Sequence, residues 1–151
     1  MFMKEGLCVF SHCTIVHYVM VGLVSCESGW TPSTSTGRCY KMVSSGRDWV
    51  GARAYCQGTN GGDLASIPGQ ETNEVVSNLL TGSGVYWLGG TDAASEGAWQ
   101  WADGTPWGYT NWRSGQPNDI GNTENHLTMG GSNGLWSDQP ETKNIWFVCQ
   151  Y

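Results

Sequence analysis

At 151 residues the chain is long enough for one domain with a substantial core, and its 22 glycines and 9 tryptophans, against only 13% charged residues, point to a compact, loop-rich fold and not to a helical bundle. Aromatic residues at 12% supply more buriable apolar area than a disordered chain carries. The formal net charge of −6 leaves no basic stripe to neutralise phosphates, so nucleic acid is excluded as an expected partner.

The N-terminus has the layout of a secretory signal peptide: Lys4 in a short polar start, a mostly apolar run from Leu7 to Val24, then Ser25 before Cys26 and the polar Glu27-Ser28. Ser11, His12 and His17 interrupt the apolar run. The alternative is an uncleaved anchor, but the run is short for a span and two histidines within it are costly in lipid. The expectation is therefore a leader over residues 1–25 and one secreted, extracellular domain over 26–151, with no stable membrane span after cleavage. Cleavage removes Cys8 and Cys13 and leaves Cys26, Cys39, Cys56 and Cys149. An even set in an exported chain implies two disulfides, with three pairings open.

Residues 37–43 read as a strand after a turn. Asp48 is the expected N-cap of a short helix through Trp49, Ala52, Ala54 and Cys56, ended by Gly58 and the Asn60-Gly61-Gly62 turn. A second helix is expected from Glu71 to Leu80, with Val75, Leu79 and Leu80 as its apolar face, stopped by Gly82 and Gly84. Val85 to Leu88 and Ile145 to Val148 are buried-strand candidates. Between them, residues 89–141 show almost no periodicity and are dense in Gly, Asn, Asp and Pro, which is loop chemistry. Trp99, Trp101, Trp107, Trp112 and Trp136 carry too much apolar surface for that stretch to be disordered.

The same stretch holds Asp92, Glu96, Asp103, Asp119, Glu124, Asp138 and Glu141, with Arg113 as its only Lys or Arg. Carboxylates gathered without cations repel one another unless something positive sits among them, and calcium takes such oxygens. A solvated acidic surface is the plain alternative. Asp119 to Asn125 does not fit the EF-hand spacing. His126 is the single histidine left after cleavage, so neither a zinc-binding histidine pair nor a supported Ser-His-Asp triad is available, and no enzyme is expected.

A series of short motifs runs through the chain: Gly29-Trp30, Cys39-Tyr40, Trp49 with Ala52, Ala54 and Cys56, and Gly62-Asp63-Leu64-Ala65-Ser66-Ile67. Trp87-Leu88-Gly89, Trp101-Ala102-Asp103-Gly104 and Asn111-Trp112 follow, then Gln116-Pro117-Asn118, Trp136-Ser137-Asp138 and Phe147-Val148-Cys149. In this order and spacing they resemble the C-type lectin-like domain family across nearly the whole mature length. The resemblance implies an α+β fold, with two helices flanking two small antiparallel sheets and a long calcium-binding loop region on top. It also implies the pairs Cys26–Cys39 and Cys56–Cys149, and it puts His126 and Glu141 at the two positions where a further cystine usually braces the long loop.

In family members that bind sugar, the principal calcium ligands fall on Gln116, Asn118, Glu124, Ser137 and Asp138, with the peptide before Pro117 cis. A second, structural calcium falls on Asp92, Glu96, Asp119, Asn125 and the carbonyl of Glu124. Two departures weaken the principal site: Ser137 stands where Asn is usual, and neutral Gln116 and Asn118 leave only Glu124 and Asp138 charged. The implied function is calcium-dependent carbohydrate binding, directed at glycans on microbial or cell surfaces. The alternative is a metal-independent protein-binding or ice-binding module. Gln-Pro-Asn lies between the family's mannose-type Glu-Pro-Asn and galactose-type Gln-Pro-Asp motifs. No aromatic follows it in Asp119-Ile120-Gly121-Asn122, which favours mannose-class over galactose-class ligands. Weak single sites would act together in a homo-oligomer.

Overall fold

The computed structural model describes residues 24–151; the expected leader, apart from its last two residues, and with it Cys8 and Cys13, lies outside them. No helix among the described residues is long and apolar enough to cross a membrane.

In chain order the elements are β1 (Thr31–Pro32), β2 (Cys39–Arg47), α1 (Trp49–Gln57), β3 (Asp63–Leu64), α2 (Gln70–Leu79) and β4 (Val85–Thr91). There follow β5 (Gln100–Trp101), a 3-10 turn (Ile120–Asn122), β6 (His126–Gly130), β7 (Trp136–Gln139) and β8 (Ile145–Gln150). Asp48 caps α1 as expected, its carboxylate accepting from Gly51 N at 2.7 Å, and Gly58 ends it.

Helix α2 lies where its sequence put it, and of its expected apolar face Leu80 is buried while Val75 and Leu79 pack, partly covered, against the same core. The buried residues within the helix are Thr72, Asn73 and Val76, of which the two polar ones were not expected and are covered because they are hydrogen-bonded. Asn73 Oδ1 accepts from Trp136 Nε1 at 2.8 Å, Asn73 Nδ2 donates to Gly134 O at 3.3 Å, and the Thr72 hydroxyl sits 3.2 Å from that of Ser35. An apolar periodicity cannot register such residues.

The strands follow the order β1-β2-β8-β4-β6-β7, with β3 on β8 and β5 on β4. Every pairing between strands is antiparallel except one, the parallel β4–β8 pair at Trp87↔Phe147, which joins the two expected antiparallel groups into a continuous path. β5, β6 and β7 all fall inside the stretch that reads as loop. β6 and β7 form a hairpin with Leu127, Met129 and Trp136 in the core and Thr128 paired with Ser137. Their alternation is real but short, and the glycine-rich turn between them masks it.

Gly62 is required where it stands, since a Cβ there would lie 1.8 Å from Gln150 O and force β3 off β8. Two buried clusters flank the sheet, one around Trp101, Leu127 and Trp136, the other around Trp49, Trp87 and Phe147. Cys26 is bonded to Cys39, and Cys56 to Cys149. The second bond ties α1 to β8 across a separation of 93 residues, which in the chain-entropy account contributes about 4–5 kcal/mol.

Candidate functional site

The loop carrying Gln116, Asn118 and Asp119 is held to the outer strand β7 by backbone bonds before any side chain is considered. Trp136 N donates to Asn111 O at 2.8 Å and Arg113 N to Trp136 O at 2.9 Å. Around this seam Trp99, Trp101, Trp107, Trp112 and Trp136 pack as one cluster, with neighbouring ring centroids 4.8 to 6.5 Å apart. Trp112 and Trp136 also form a β-bridge. This seam was not legible in the sequence beyond the density of tryptophans.

The Gln116–Pro117 peptide is cis. Just beyond it, Asp119 (φ 39°), Gly121 (φ 72°) and Asn122 (φ 55°) turn the chain through the left-handed region. Asp138, fully buried on β7, receives this turn: its Oδ2 accepts from Asn118 N at 3.0 Å and from Asp119 N at 2.7 Å. In return Asp138 N donates to Gln116 Oε1 at 3.4 Å. Asp119 Oδ1 accepts from Glu124 N at 3.0 Å, and Glu124 Oε2 accepts from Ile120 N at 3.1 Å. The Asn118 side-chain amide faces Glu124 Oε2 and Asp138 Oδ1; turned so that its nitrogen points at them, it donates to them at 2.9 Å and 3.3 Å. Gln116, Asn118, Glu124 and Asp138 are thus brought together.

Ser137 is not drawn into that group. Its hydroxyl lies 2.9 Å from Thr128 Oγ1, which also donates to Ser137 O at 3.0 Å. Thr128 is the cross-strand partner of Ser137 and is fully buried. The partner follows from strand register, which the local sequence does not display.

Asp92 follows β4 and is buried. Its Oδ2 accepts from Gly97 N at 2.9 Å, whereas its Oδ1 is covered and has no hydrogen-bond partner. Burial pushes this carboxyl above its ordinary range, opposed by the Gly97 N–H and reinforced by repulsion from Asp119 and Asp138. Glu96, on the exposed turn, is likewise pushed up, by desolvation and then by Asp92, Asp119 and Asp138. The Asn125 carbonyl accepts from Asp92 N at 3.2 Å and from the Thr91 hydroxyl at 2.8 Å, tying this group to the first.

Two of the seven acidic residues belong elsewhere. Asp103 pairs with Arg38 at 3.1 Å and accepts from Ser66, Thr105 and Gln150. Burial raises its carboxyl, but the Thr105 and Ser66 hydrogen bonds and the Arg38 charge outweigh that and hold it below the ordinary range. Glu141 lies 3.9 Å from His126 Nε2. None of the other five forms an ion pair with Lys or Arg among the described residues. What remains is a set of hard oxygen donors (Asp92, Glu96, Asp119, Glu124 and Asp138, with the amides of Gln116 and Asn118) that includes one orphaned, buried carboxylate oxygen. That donor chemistry fits calcium and suits neither a thiophilic nor an imidazole-seeking metal.

The family model for the lectin C-type domain matches residues 45–151. A C-type lectin of Cerberus rynchops is 31% identical over 134 residues, which cover 84% of each chain. The carbohydrate-recognition domain of cow CD23, solved in the presence of a GlcNAc2Man3 oligosaccharide, is 30% identical with a TM-score of 0.76, covering 84% of this chain and 95% of that one. A calcium-independent type II antifreeze protein is 31% identical with a TM-score of 0.75, covering 84% and 94%.

Proposed function

The chain belongs to the C-type lectin domain family, and on that premise we propose that it is a secreted lectin holding calcium on Gln116, Asn118, Glu124 and Asp138 and binding mannose-class glycans through that ion. The observation that carries this is the convergence of Glu124 and Asp138 on the Asn118 side chain, with no cation paired to either carboxylate. Bound calcium would supply open coordination positions for a pair of vicinal sugar hydroxyls. The chain's own part is orientation. Asp138 pins the loop through two backbone N–H groups, Asp119 fixes the backbone at Glu124, and the Gln116 and Asn118 amides offer both donors and acceptors to the sugar.

Ser137 stays outside this set through its bond to Thr128. Asp92, Glu96, Asp119, Asn125 and the carbonyl of Glu124 would hold a second, structural calcium, a reading supported by the orphaned Asp92 Oδ1. A leader over residues 1–25 and export are part of the same proposal, and the two disulfides support an oxidising compartment. Catalysis is no part of it.

A second reading is a calcium-independent binding module. It is favoured by the 31% identity to the calcium-independent antifreeze protein and by the withdrawal of the Ser137 hydroxyl. Thermal unfolding with and without millimolar calcium separates the two, because a ligand that binds only the folded state raises Tm. A rise reversed by EDTA supports the calcium lectin, and an unchanged Tm leaves the calcium-independent module.

A further inference from the structure

At the end of the sheet away from the acidic cluster lies a cleft of about 360 Å³. It sits between the loop 81–84, which joins α2 to β4, and the start of β8, with Val85, Tyr86, Asn144, Ile145 and Trp146 among its walls. Strand β4 separates the two places: Val85 lines the cleft, Thr91 precedes Asp92, and the 7 residues between and including them span roughly 20 Å. The protein itself holds the rim in shape. Tyr86 Oη donates to Thr81 O, Gly131 N donates to Gly84 O at 2.8 Å, and a Cβ on Gly131 would come within 2.8 Å of Gly82 O.

Tyr86 is buried and backs the cleft, so its accessible aromatic surface is that of Trp146, which is 40% exposed and stands edge to face with Tyr86 at 6.1 Å. Around that ring are the Thr81 and Ser83 hydroxyls and the Asn144 amide, all on exposed residues. Neither they nor the Trp146 indole N–H make a side-chain hydrogen bond among the described residues. None of the lining residues is charged. The neighbouring cations are engaged elsewhere: Lys143 donates to Gln139, and the guanidinium of Arg47, the cross-strand partner of Ile145, lies over the Tyr55 ring at 5.1 Å.

We propose that this cleft binds a neutral sugar ring of the N-acetylglucosamine type, without calcium. An exposed indole ringed by neutral donors and acceptors matches a pyranose whose substituents are all equatorial. The axial C–H bonds of such a ring give it an apolar face for Trp146, and its hydroxyls project outwards to the Asn144, Ser83 and Thr81 side chains. The half-buried Val85 and Ile145 offer an apolar wall to the acetamido methyl group. A charged ligand finds no counter-charge here, and a purely apolar one would cover polar side chains without satisfying them. The volume is at the small end of ligand pockets, which run from roughly 300 to 1,000 Å³, and suits one ring. The site stands apart from the proposed calcium site and does not rest on it.

The test uses isotope-labelled protein in EDTA, titrated with N,N′-diacetylchitobiose and, separately, with sorbitol, which has the hydroxyls without the ring. The disaccharide is expected to shift the indole N–H signal of Trp146 and the side-chain amide signals of Asn144 in a saturable way, and sorbitol to leave them in place. Trp146→Ala, read on the Asn144 signals, is expected to weaken the disaccharide at least about tenfold through loss of the stacking surface. Asn144→Ala, an exposed change, is expected to weaken it about three- to tenfold, the loss typical of one neutral hydrogen bond. No saturable shift in EDTA, equal shifts from sorbitol, or undiminished binding in either variant would each overturn the proposal. A disaccharide that binds only when calcium is restored would also overturn it, while leaving the calcium lectin intact.

Discussion

Asn118 and Asp138 are joined through the backbone, where the Asn118 N–H donates to Asp138 Oδ2 at 3.0 Å, and their side chains face each other, the Asn118 amide lying 3.3 Å from Oδ1 when its nitrogen is turned towards it. One buried carboxylate therefore both anchors the loop and supplies charge to the proposed calcium site. Substitutions separate the two roles. Asp138→Asn keeps an oxygen for the backbone donors and removes the charge, so it is expected to fold and to lose most of its Tm response to calcium. Asp138→Ala leaves the N–H groups of Asn118 and Asp119 without a partner, at about 1–3 kcal/mol. Melting curves with calcium and with EDTA distinguish the variants; a full calcium response in Asp138→Asn would place the ion elsewhere.

Ser137 provides a second test. Because its hydroxyl is paired with Thr128, Ser137→Ala is expected to leave calcium affinity unchanged within experimental error. Ser137→Asn places a longer amide carbonyl at the same strand position and is expected to tighten calcium. Calorimetric titration of both variants checks this. A marked loss of affinity in Ser137→Ala would show that the hydroxyl leaves Thr128 to ligate the ion.

Local chemistry was legible in the sequence where one short segment decides the structure. Asp48 as a cap falls in that class, whereas the cis peptide before Pro117 and the two disulfides, one of them spanning 93 residues, were legible only through family resemblance. Features set by pairing between distant segments were not legible. Thr72 and Asn73 are buried because Ser35, Gly134 and Trp136 meet them, and β6 and β7 exist because Leu127 and Met129 face the same core as Trp136. In the candidate site, Gln116, Asn118, Glu124 and Asp138 lie together, whereas Ser137 of the same expected set turns its hydroxyl to Thr128. Counting acids placed Asp103 with them, but the Arg38 guanidinium and the Gln150 side chain hold it elsewhere.

His126 makes stability depend on pH in a defined direction. Burial against Trp49 and Trp87 lowers its pKa from 6.5 to about 4. The unfolded chain therefore takes up a proton near pH 6.5 that the folded chain refuses until about pH 4. The stability this group confers is complete above pH 6.5 and is lost as pH falls through that window, by about 3 kcal/mol in total. In EDTA, His126→Phe is expected to flatten the Tm profile between pH 7 and 4 relative to the parent. Parallel profiles would mean that the imidazole becomes protonated without leaving its pocket.

His126 and Glu141 also stand at the two positions where the family resemblance implies a cystine, and their side chains approach to 3.9 Å. The double variant His126→Cys/Glu141→Cys is expected to oxidise to a disulfide and raise stability by about 3 kcal/mol, the chain-entropy value for a loop of roughly 15 residues. Comparing Tm with and without reductant measures it. Two free thiols under oxidising conditions would show that the strands diverge at this point.

The identity of the sugar is the furthest reach of the proposed function. Mannose-class sugars present equatorial 3- and 4-hydroxyls, whereas galactose-class sugars have an axial 4-hydroxyl. Gln116 and Asn118 are both amides and can donate or accept, so their hydrogen bonding alone does not choose. The preference in the proposed reading comes from the neighbouring surface. The family resemblance implies that galactose-class binders usually stack the sugar's apolar face on an aromatic ring just after the motif, and the residue exposed there is Ile120, 65% accessible, with no aromatic ring between Asp119 and Asn122. Mannose-class binding asks for no such ring. One shallow site with two charged ligands would hold a monosaccharide weakly, so useful avidity would come from several sites acting on one surface. A glycan array probed with the protein in calcium and again in EDTA is expected to show calcium-dependent signal on dense terminal mannose that fades at low glycan density. Calcium-dependent signal confined to terminal galactose or N-acetylgalactosamine would reverse the assignment and point to a partner ring supplied from outside this loop.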